Sequence, residues 1–459
     1  MSFNRRRLFA ALAGVASVSA ATPALARETT AVPARDVGQR SRIDAATLGL
    51  SPHPADDQTK VFQRAIDRAA AARAVLQIEA GIYRAGGLVL PPHAAIAGVT
   101  GATRIVLAGA TNLMTATGSD YVSLSGLIFD GANTPLPQQR GLVHVAQGRA
   151  VRIVDCEIVS AAGSAIRLEA TDGEVAGNTI SAVDIAVFCL DARGVKVSGN
   201  HVRGARNNGI LVWRSAPGDD GTLVIDNRVE DVTNTSGGSG QYGNAINVFR
   251  ADNVIVRGNR IRNAAFSAVR GNSASNLQIL GNTCSGVGEV ALYAEFGFEG
   301  AVIANNIVDG AAIGVSVTNF NQGGRLAVVQ GNLIRNLVAR RPAGTDPNDD
   351  AGIGIGVEAD TLVTGNVIER APHAGIAAGA GPYLRDVAIS SNIVRVADYG
   401  ITVSVSPGAG TSLIADNLIS GARFGAIVGM EWKKPVTGDL SKEDTTRYAQ
   451  LTISGNRVR

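Results

Sequence analysis

Arg270, Tyr293 and Glu295 fall at matching places in two consecutive alternating stretches, Val269-Arg270-Gly271-Asn272 and Leu292-Tyr293-Ala294-Glu295. A guanidinium, a phenol and a carboxylate held side by side can take a proton from the carbon next to a uronate carboxyl. The guanidinium neutralises the acid, and the phenol or carboxylate exchanges the proton. A glycoside hydrolysis uses carboxylates instead, and Glu169 is a second one at an equivalent place. The corresponding positions of neighbouring stretches hold Arg167, Trp213, Asn247, Phe249 and Asn272. Aromatic faces beside amide and charged groups suit a sugar polymer, which offers apolar ring faces and hydroxyls. One groove is expected, with Arg270, Tyr293 and Glu295 as its catalytic residues and Arg167, Glu169, Trp213, Asn247, Phe249 and Asn272 binding substrate. The competing expectation is a solvated outer face whose Trp213 and Phe249 are covered by loops.

What sets these residues in register is an internal repeat. An apolar run ends in a small residue and Asn, as in Val175-Ala176-Gly177-Asn178-Thr179-Ile180, and the phrase returns eleven times from Asn178 to Asn456 at spacings of 22 to 39 residues. About ten residues after each Asn comes a second alternating run, such as Gly209-Ile210-Leu211-Val212. Period-two alternation marks strands with one buried face. A unit this short cannot bury that face alone, so stacked units must share a core. The expected fold is all-β, a right-handed parallel β-helix, with Asn178, Asn200, Asn259, Asn282 and Asn306 stacked at one corner as an amide ladder. Asn suits such a corner because it tolerates the left-handed backbone region. Twelve or so coils at ~4.8 Å imply a rod of about 55 Å. If Ile210, Ile246, Val269, Leu292 and Val315 point inward, then Leu211, Asn247, Arg270, Tyr293 and Ser316 form one outward column. Trp213, Phe249, Asn272, Glu295 and Thr318 form the next. The insertions 215–221, 233–243 and 338–350 cluster at the ends of this strand and are expected to wall the groove.

The remaining chain frames the repeat. Residues 1–26 read as an export signal: Arg5-Arg6-Arg7, an apolar run from Ala10 to Ala21, and a small-residue cleavage site at Ala24-Leu25-Ala26. Arg5 and Arg6 followed by Leu8-Phe9 resemble a twin-arginine motif, although Asn4 stands where Ser or Thr is usual, and a general secretory signal is the alternative. Residues 27–55 are expected to be a linker and entry segment, 56–150 a capping helix with the first coils, and 151–459 the repeats. The helix opens at Asp56-Asp57-Gln58-Thr59 and carries Val61, Phe62, Ile66, Ala69 and Ala70 at helical spacing. Removing residues 1–26 takes away three Arg and no acid, so the formal charge falls from +3 to 0, which argues against nucleic acid as partner. No later run reaches the length of a membrane span. Cys156, Cys189 and Cys284 are odd in number and lie in different coils, reading as core or corner thiols, and the five His show no metal spacing. A weak calcium pattern, Asp346-x-Asn348-x-Asp350, lacks its later positions, which are Ala351 and Val357.

The Arg5-Arg6 pair, the capping helix and the Gly-Asn repeat together resemble a family of twin-arginine-translocated repeat proteins with a right-handed parallel β-helix. The resemblance spans nearly the whole chain. It implies export to the periplasm or beyond through the twin-arginine translocase, and, through the wider pectin-lyase-like folds (pectate lyases, polygalacturonases, mannuronan epimerases), a polysaccharide partner. It supplies no site: the ordered polygalacturonase set is absent, and the epimerase Asp-Pro-His-Asp has its nearest match in Asp346-Pro347-Asn348-Asp349. Three readings stay open, namely a lyase, epimerase or hydrolase, a non-catalytic glycan-binding or cell-envelope module, and a structural solenoid whose partner is protein.

Overall fold

The structure, a computed structural model, describes residues 40–459 apart from Gln138, Ser239 and Pro347. The export segment with Arg5 and Arg6 lies outside the described residues. The chain winds into an all-β, right-handed parallel solenoid of about 15 turns. Each full coil has three strands: one leading into the asparagine corner, one just after it, and a third that closes the coil. The first strands, from Arg42–Asp44 to Leu451–Ser454, make a 16-stranded sheet, and the other two sets share a 28-stranded sheet. Sixteen stacked strands at ~4.8 Å make a rod of about 70 Å, longer than a dozen coils would give. The undercount has a simple cause: coils before Cys156 lack the asparagine that marks the repeat.

The eleven asparagines stack at one corner. Each Nδ2 donates to Oδ1 of the next at 2.9–3.0 Å, from Asn178 through Asn456. The same Oδ1 accepts the backbone N–H of the preceding Asn, and Nδ2 also reaches a carbonyl one coil back, as Asn259 does to Val224 at 2.9 Å. Every buried polar atom of these side chains is thereby used, which lets a polar column run through an apolar core. Cys156 begins the column: its N–H donates to Asn178 Oδ1, and its thiol cannot pass the amide pattern on. The left-handed turn belongs to the residue before each asparagine, Gly177, Gly199 and Gly281 among them, at φ of 66°, 62° and 61°. The asparagines are thus kept for their amide, and the preceding glycine or short polar residue makes the bend.

The capping helix is Thr59–Ala71, started by Asp57, whose Oδ1 accepts from Thr59 N and Oγ1. Phe62, Ala65, Ile66, Ala69 and Ala70 are buried in the same core as the coils, and Phe62 meets Tyr83 at 6.4 Å, closing one open end. Residues 40–55 are not linker. Arg42–Asp44 pairs in parallel with Val75–Gln77, and Ala45 and Leu50 are buried, so the first rung lies in the stretch expected to lead up to it. At the other end Leu418–Glu431 turns at Trp432 and pairs antiparallel with Lys434–Asp439.

Candidate functional site

The third strands carry the outward columns in the expected register. Leu211, Asn247, Arg270, Tyr293 and Ser316 are successive partners across parallel ladders, as are Trp213, Phe249, Asn272 and Glu295. Arg167 and Glu169 stand two coils before Leu211 and Trp213 in the same columns. Register therefore brings all nine expected site residues to one face. It does not leave them equally open.

Arg270 and Glu295 are 7% and 2% exposed. Arg270 Nε and Nη2 donate to the two Glu295 oxygens at 2.6 and 3.0 Å, and Nη1 donates to Glu289 at 3.2 Å. Glu289 in turn accepts from Arg341 at 2.8 Å, and Arg341 also donates to the Asp350 carbonyl. Burial opposes the charge on Arg270, but the carboxylates of Glu295 and Glu289 outweigh it and hold the guanidinium cationic beyond its ordinary range. Burial, with Glu295 beside it, pushes the Tyr293 phenol up, so it stays protonated, and its ring lies 5.1 Å under the Arg270 guanidinium. Asn247 donates to the Gly240 carbonyl at 3.1 Å, and Asn272 to Glu295 at 3.2 Å. This corrects the expectation of an open catalytic groove at Arg270, Tyr293 and Glu295. The insertions 233–243 and 338–350 lie over the column rather than beside it. Gly240 is so near that a Cβ there would come within 3.1 Å of Arg270 Nη2, and Arg341 plugs the gap beside Glu289.

The face differs from Phe249 back through the preceding coils. Phe188, Trp213 and Phe249 come from three successive coils and meet edge to face, at 5.3 Å and 5.6 Å between ring centres. Trp213 and Phe249 keep part of their surface open. Arg167 lies over Phe188 at 4.5 Å and Arg250 over Phe249 at 4.8 Å, so the strip ends in a cation on either side. Beyond Arg167 the column continues to His144, with Glu169 3.5 Å from Arg167 and 3.6 Å from His144. Burial first, then Arg167 and Arg140, lowers the His144 pKa and keeps the ring neutral. Phe188 and His144 were absent from the sequence-derived set. Counting the alternation back from Leu211 reaches both.

A family model described as NosD, periplasmic copper-binding protein, matches residues 149–349. No curated protein matches the chain. Among solved structures, the tailspike protein gp49 from Pseudomonas phage LKA1 is similar at 12% identity and a TM-score of 0.54, over 90% of this chain and 84% of that one. The catalytic unit of a GH87 α-1,3-glucanase from Streptomyces thermodiastaticus matches at 13% identity and 0.47, over 92% and 70%. The A-module of the Azotobacter vinelandii mannuronan C-5 epimerase AlgE6 matches at 14% and 0.37, over 91% and 99%. At 12% identity the likeness to the tailspike protein shows the fold alone.

Copper asks for imidazole, thiolate or thioether donors gathered on one centre. Cys156, Cys189 and Cys284 are buried in separate coils, and burial pushes the Cys156 and Cys284 thiols up to about 12. His144 faces arginines, His93 stacks on Tyr121, and His373 packs on Tyr399. Among the described residues no three His, Cys, Asp or Glu side chains converge. These residues do not fit a copper centre. The calcium-like turn is occupied from within: Asp346 accepts from Asn348 N, and Asp350 pairs with Lys433 at 2.7 Å. Lys433 also donates to the Asn348 carbonyl, strapping the C-terminal hairpin to the loop 338–350.

Proposed function

We propose that this protein binds a polysaccharide lengthwise along the outer face of its third strands, as a glycan-binding module, with Phe188, Trp213 and Phe249 as the stacking platform. The observation that carries this reading is the run of three rings on successive coils, two of them partly open and cations at both ends. Stacked coils repeat at ~4.8 Å, so a chain of sugar rings can meet one aromatic group after another. Glu169, with 41% of its side chain exposed, supplies a hydrogen-bond acceptor at one end, while Arg167, whose side chain is 8% exposed, lies 3.5 Å beneath it. Turnover at Arg270, Tyr293 and Glu295 has no comparable support, because the guanidinium is spent on two carboxylates and the phenol is held protonated. Arg270 is therefore not the group that would select uronates.

Export belongs to the same reading. Its support is the basic start and small-residue cleavage site of residues 1–26, the description of the matching family as periplasmic, and the lack of any helix among the described residues long and apolar enough to cross a membrane. The test is affinity electrophoresis of the full chain through gels cast with neutral and acidic polysaccharides, alongside Trp213→Ala. Removing the indole is expected to weaken binding to the retained polymer by about 1–2 kcal/mol. Retention that ignores Trp213→Ala, or no retention by any polymer, refutes the proposal.

A further inference from the structure

The outer face of the first strands changes character along the rod. Inward and outward side chains alternate in each strand, and parallel pairing stacks the outward ones into columns. In one such column the early coils carry charge: Arg152, Glu174 and Lys196. Five later coils carry Val302, Val328, Leu362, Ala388 and Leu413 instead. Val302, Leu362 and Leu413 are 37%, 38% and 40% exposed, and Leu326, two residues before Val328, is 44% exposed. Inward positions must be apolar to build the core, but nothing in the repeat demands aliphatic side chains on the outside. A continuous aliphatic row on a flat sheet is uncommon where a surface meets only water.

Charge at the margin of this face narrows what can cover it. Glu299, Arg325, Asp360 and Arg385 form a file along the rod, one per coil. Arg325 joins Glu299 at 2.8 Å and Asp360 at 3.5 Å, and Arg385 joins Asp360 at 2.6 Å. The signs run minus, plus, minus, plus. A second copy laid face to face and antiparallel, about a two-fold axis across the rods, sets this file against itself read backwards. Every place then meets the opposite sign: Glu299 faces Arg385 of the other copy, and Arg325 faces Asp360. The same axis sets Val328 on Leu362 and Val302 on Ala388, because these residues lie on the coils of the charged file. Both surfaces step at ~4.8 Å, so side chains of one copy fit between those of the other. Eight rungs overlap, from Ile255 to Thr452. With strands of three to six residues, the contact measures about 38 Å by up to ~20 Å, near the ~800 Å² that one partner gives to a stable interface. A lipid surface has neither the step nor the alternation of sign.

We propose that the protein pairs with a second copy of itself, antiparallel, through the outer face of its first strands, with Val328 and Leu362 at the centre. The contact uses none of the third strands. The aromatic strip stays open in the pair, and the proposal does not depend on the glycan-binding reading.

The test is sedimentation velocity of the full chain over a range of concentrations, with a cross-linking experiment for the register. The parent is expected to be a dimer. Leu362→Lys puts two charges at the centre of each pair and is expected to weaken association on the order of a hundredfold, since each substitution counts twice. Leu362 points outward, and a thermal melt of the variant checks that its fold is kept. Val302→Cys mixed with Ala388→Cys is expected to form a disulfide-linked heterodimer under mild oxidation, the native Cys156, Cys189 and Cys284 being buried. Val302→Cys alone is not expected to link, because its two copies lie three rungs, about 14 Å, apart. Polysaccharide retention by Leu362→Lys should match the parent, so each reading can fail without the other. A parent that stays monomeric, or a dimer that ignores Leu362→Lys, overturns the proposal. Linking by Val302→Cys alone as efficient as in the mixture overturns the antiparallel register. Flotation of a monomeric parent with phosphatidylglycerol vesicles, lost in Leu362→Lys, overturns the pairing and gives the face to a lipid surface.

Discussion

Asn259 sits mid-ladder, and replacing it by alanine tests the structural logic of the whole solenoid. Its Oδ1 accepts from Asn227 N and Nδ2 at 2.9 and 3.0 Å, and its Nδ2 donates to Val224 O and Asn282 Oδ1 at 2.9 and 3.0 Å. Alanine removes all four bonds and leaves the Asn227 backbone N–H buried without a partner. At about 1 kcal/mol per bond, with a further 1–2 kcal/mol for the orphaned N–H, the loss comes to about 5–6 kcal/mol. Asn456 ends the ladder, half-buried, so water can replace its bonds and Asn456→Ala should cost only about 1 kcal/mol. Asn259→Asp sharpens the test. A carboxylate still accepts from Asn227 but cannot donate, and it faces Val224 O and Asn282 Oδ1 as a buried anion. Its folded pKa must therefore lie above the unfolded value of about 3.9. Its protonated form supports the fold fully below that value, and this support is lost as pH rises through the folded pKa. Denaturant unfolding followed by circular dichroism, with amide hydrogen exchange at the neighbouring coils, reads both effects. If Asn259→Ala costs no more than Arg257→Ala, on the exposed neighbouring surface, the ladder does not hold the corner and the reasoning fails.

Three further outcomes follow from the same geometry. Arg270→Met should destabilise by about 3–5 kcal/mol, because it strands the buried Glu295 carboxylate and leaves Glu289 to Arg341 alone; the double variant with Glu295→Met should recover part of that, and equal losses in both would contradict the ion network. Tyr293→Phe should leave polysaccharide retention within about twofold of the parent, since the phenol lies outside the proposed platform; a large loss there would return it to the binding site. Arg5→Lys with Arg6→Lys should block export if the twin-arginine route is used, because the pair is read by a receptor, and undiminished exported protein in a fractionation experiment would assign the general secretory route.

Period and register were legible in the chain itself. A repeat of 22 or more residues with alternating apolar positions has few ways to bury its surface, and each strand's inward face is fixed once one aliphatic residue is assigned. That is why the Asn column, the helix from Thr59 and the outward pairing of Arg270 with Tyr293 and of Phe249 with Asn272 follow from sequence alone. What covers an outward column was not legible. Alternation says that Arg270 and Trp213 both point away from the core, but not that Gly240 and Arg341 close over the first while the second keeps an open edge. Loop paths depend on contacts between residues far apart in the chain, such as Arg341 with Glu289 or Lys433 with Asp350, and no local pattern encodes them. The same holds for Asp220: its sequence context is an ordinary Asp-Asp-Gly turn, and only the stacked coils bury its carboxyl. Sequence fixes which way a strand residue faces because that is set two residues at a time. Whether the residue meets solvent, a salt bridge or a ligand is decided by chain returning from tens of residues away.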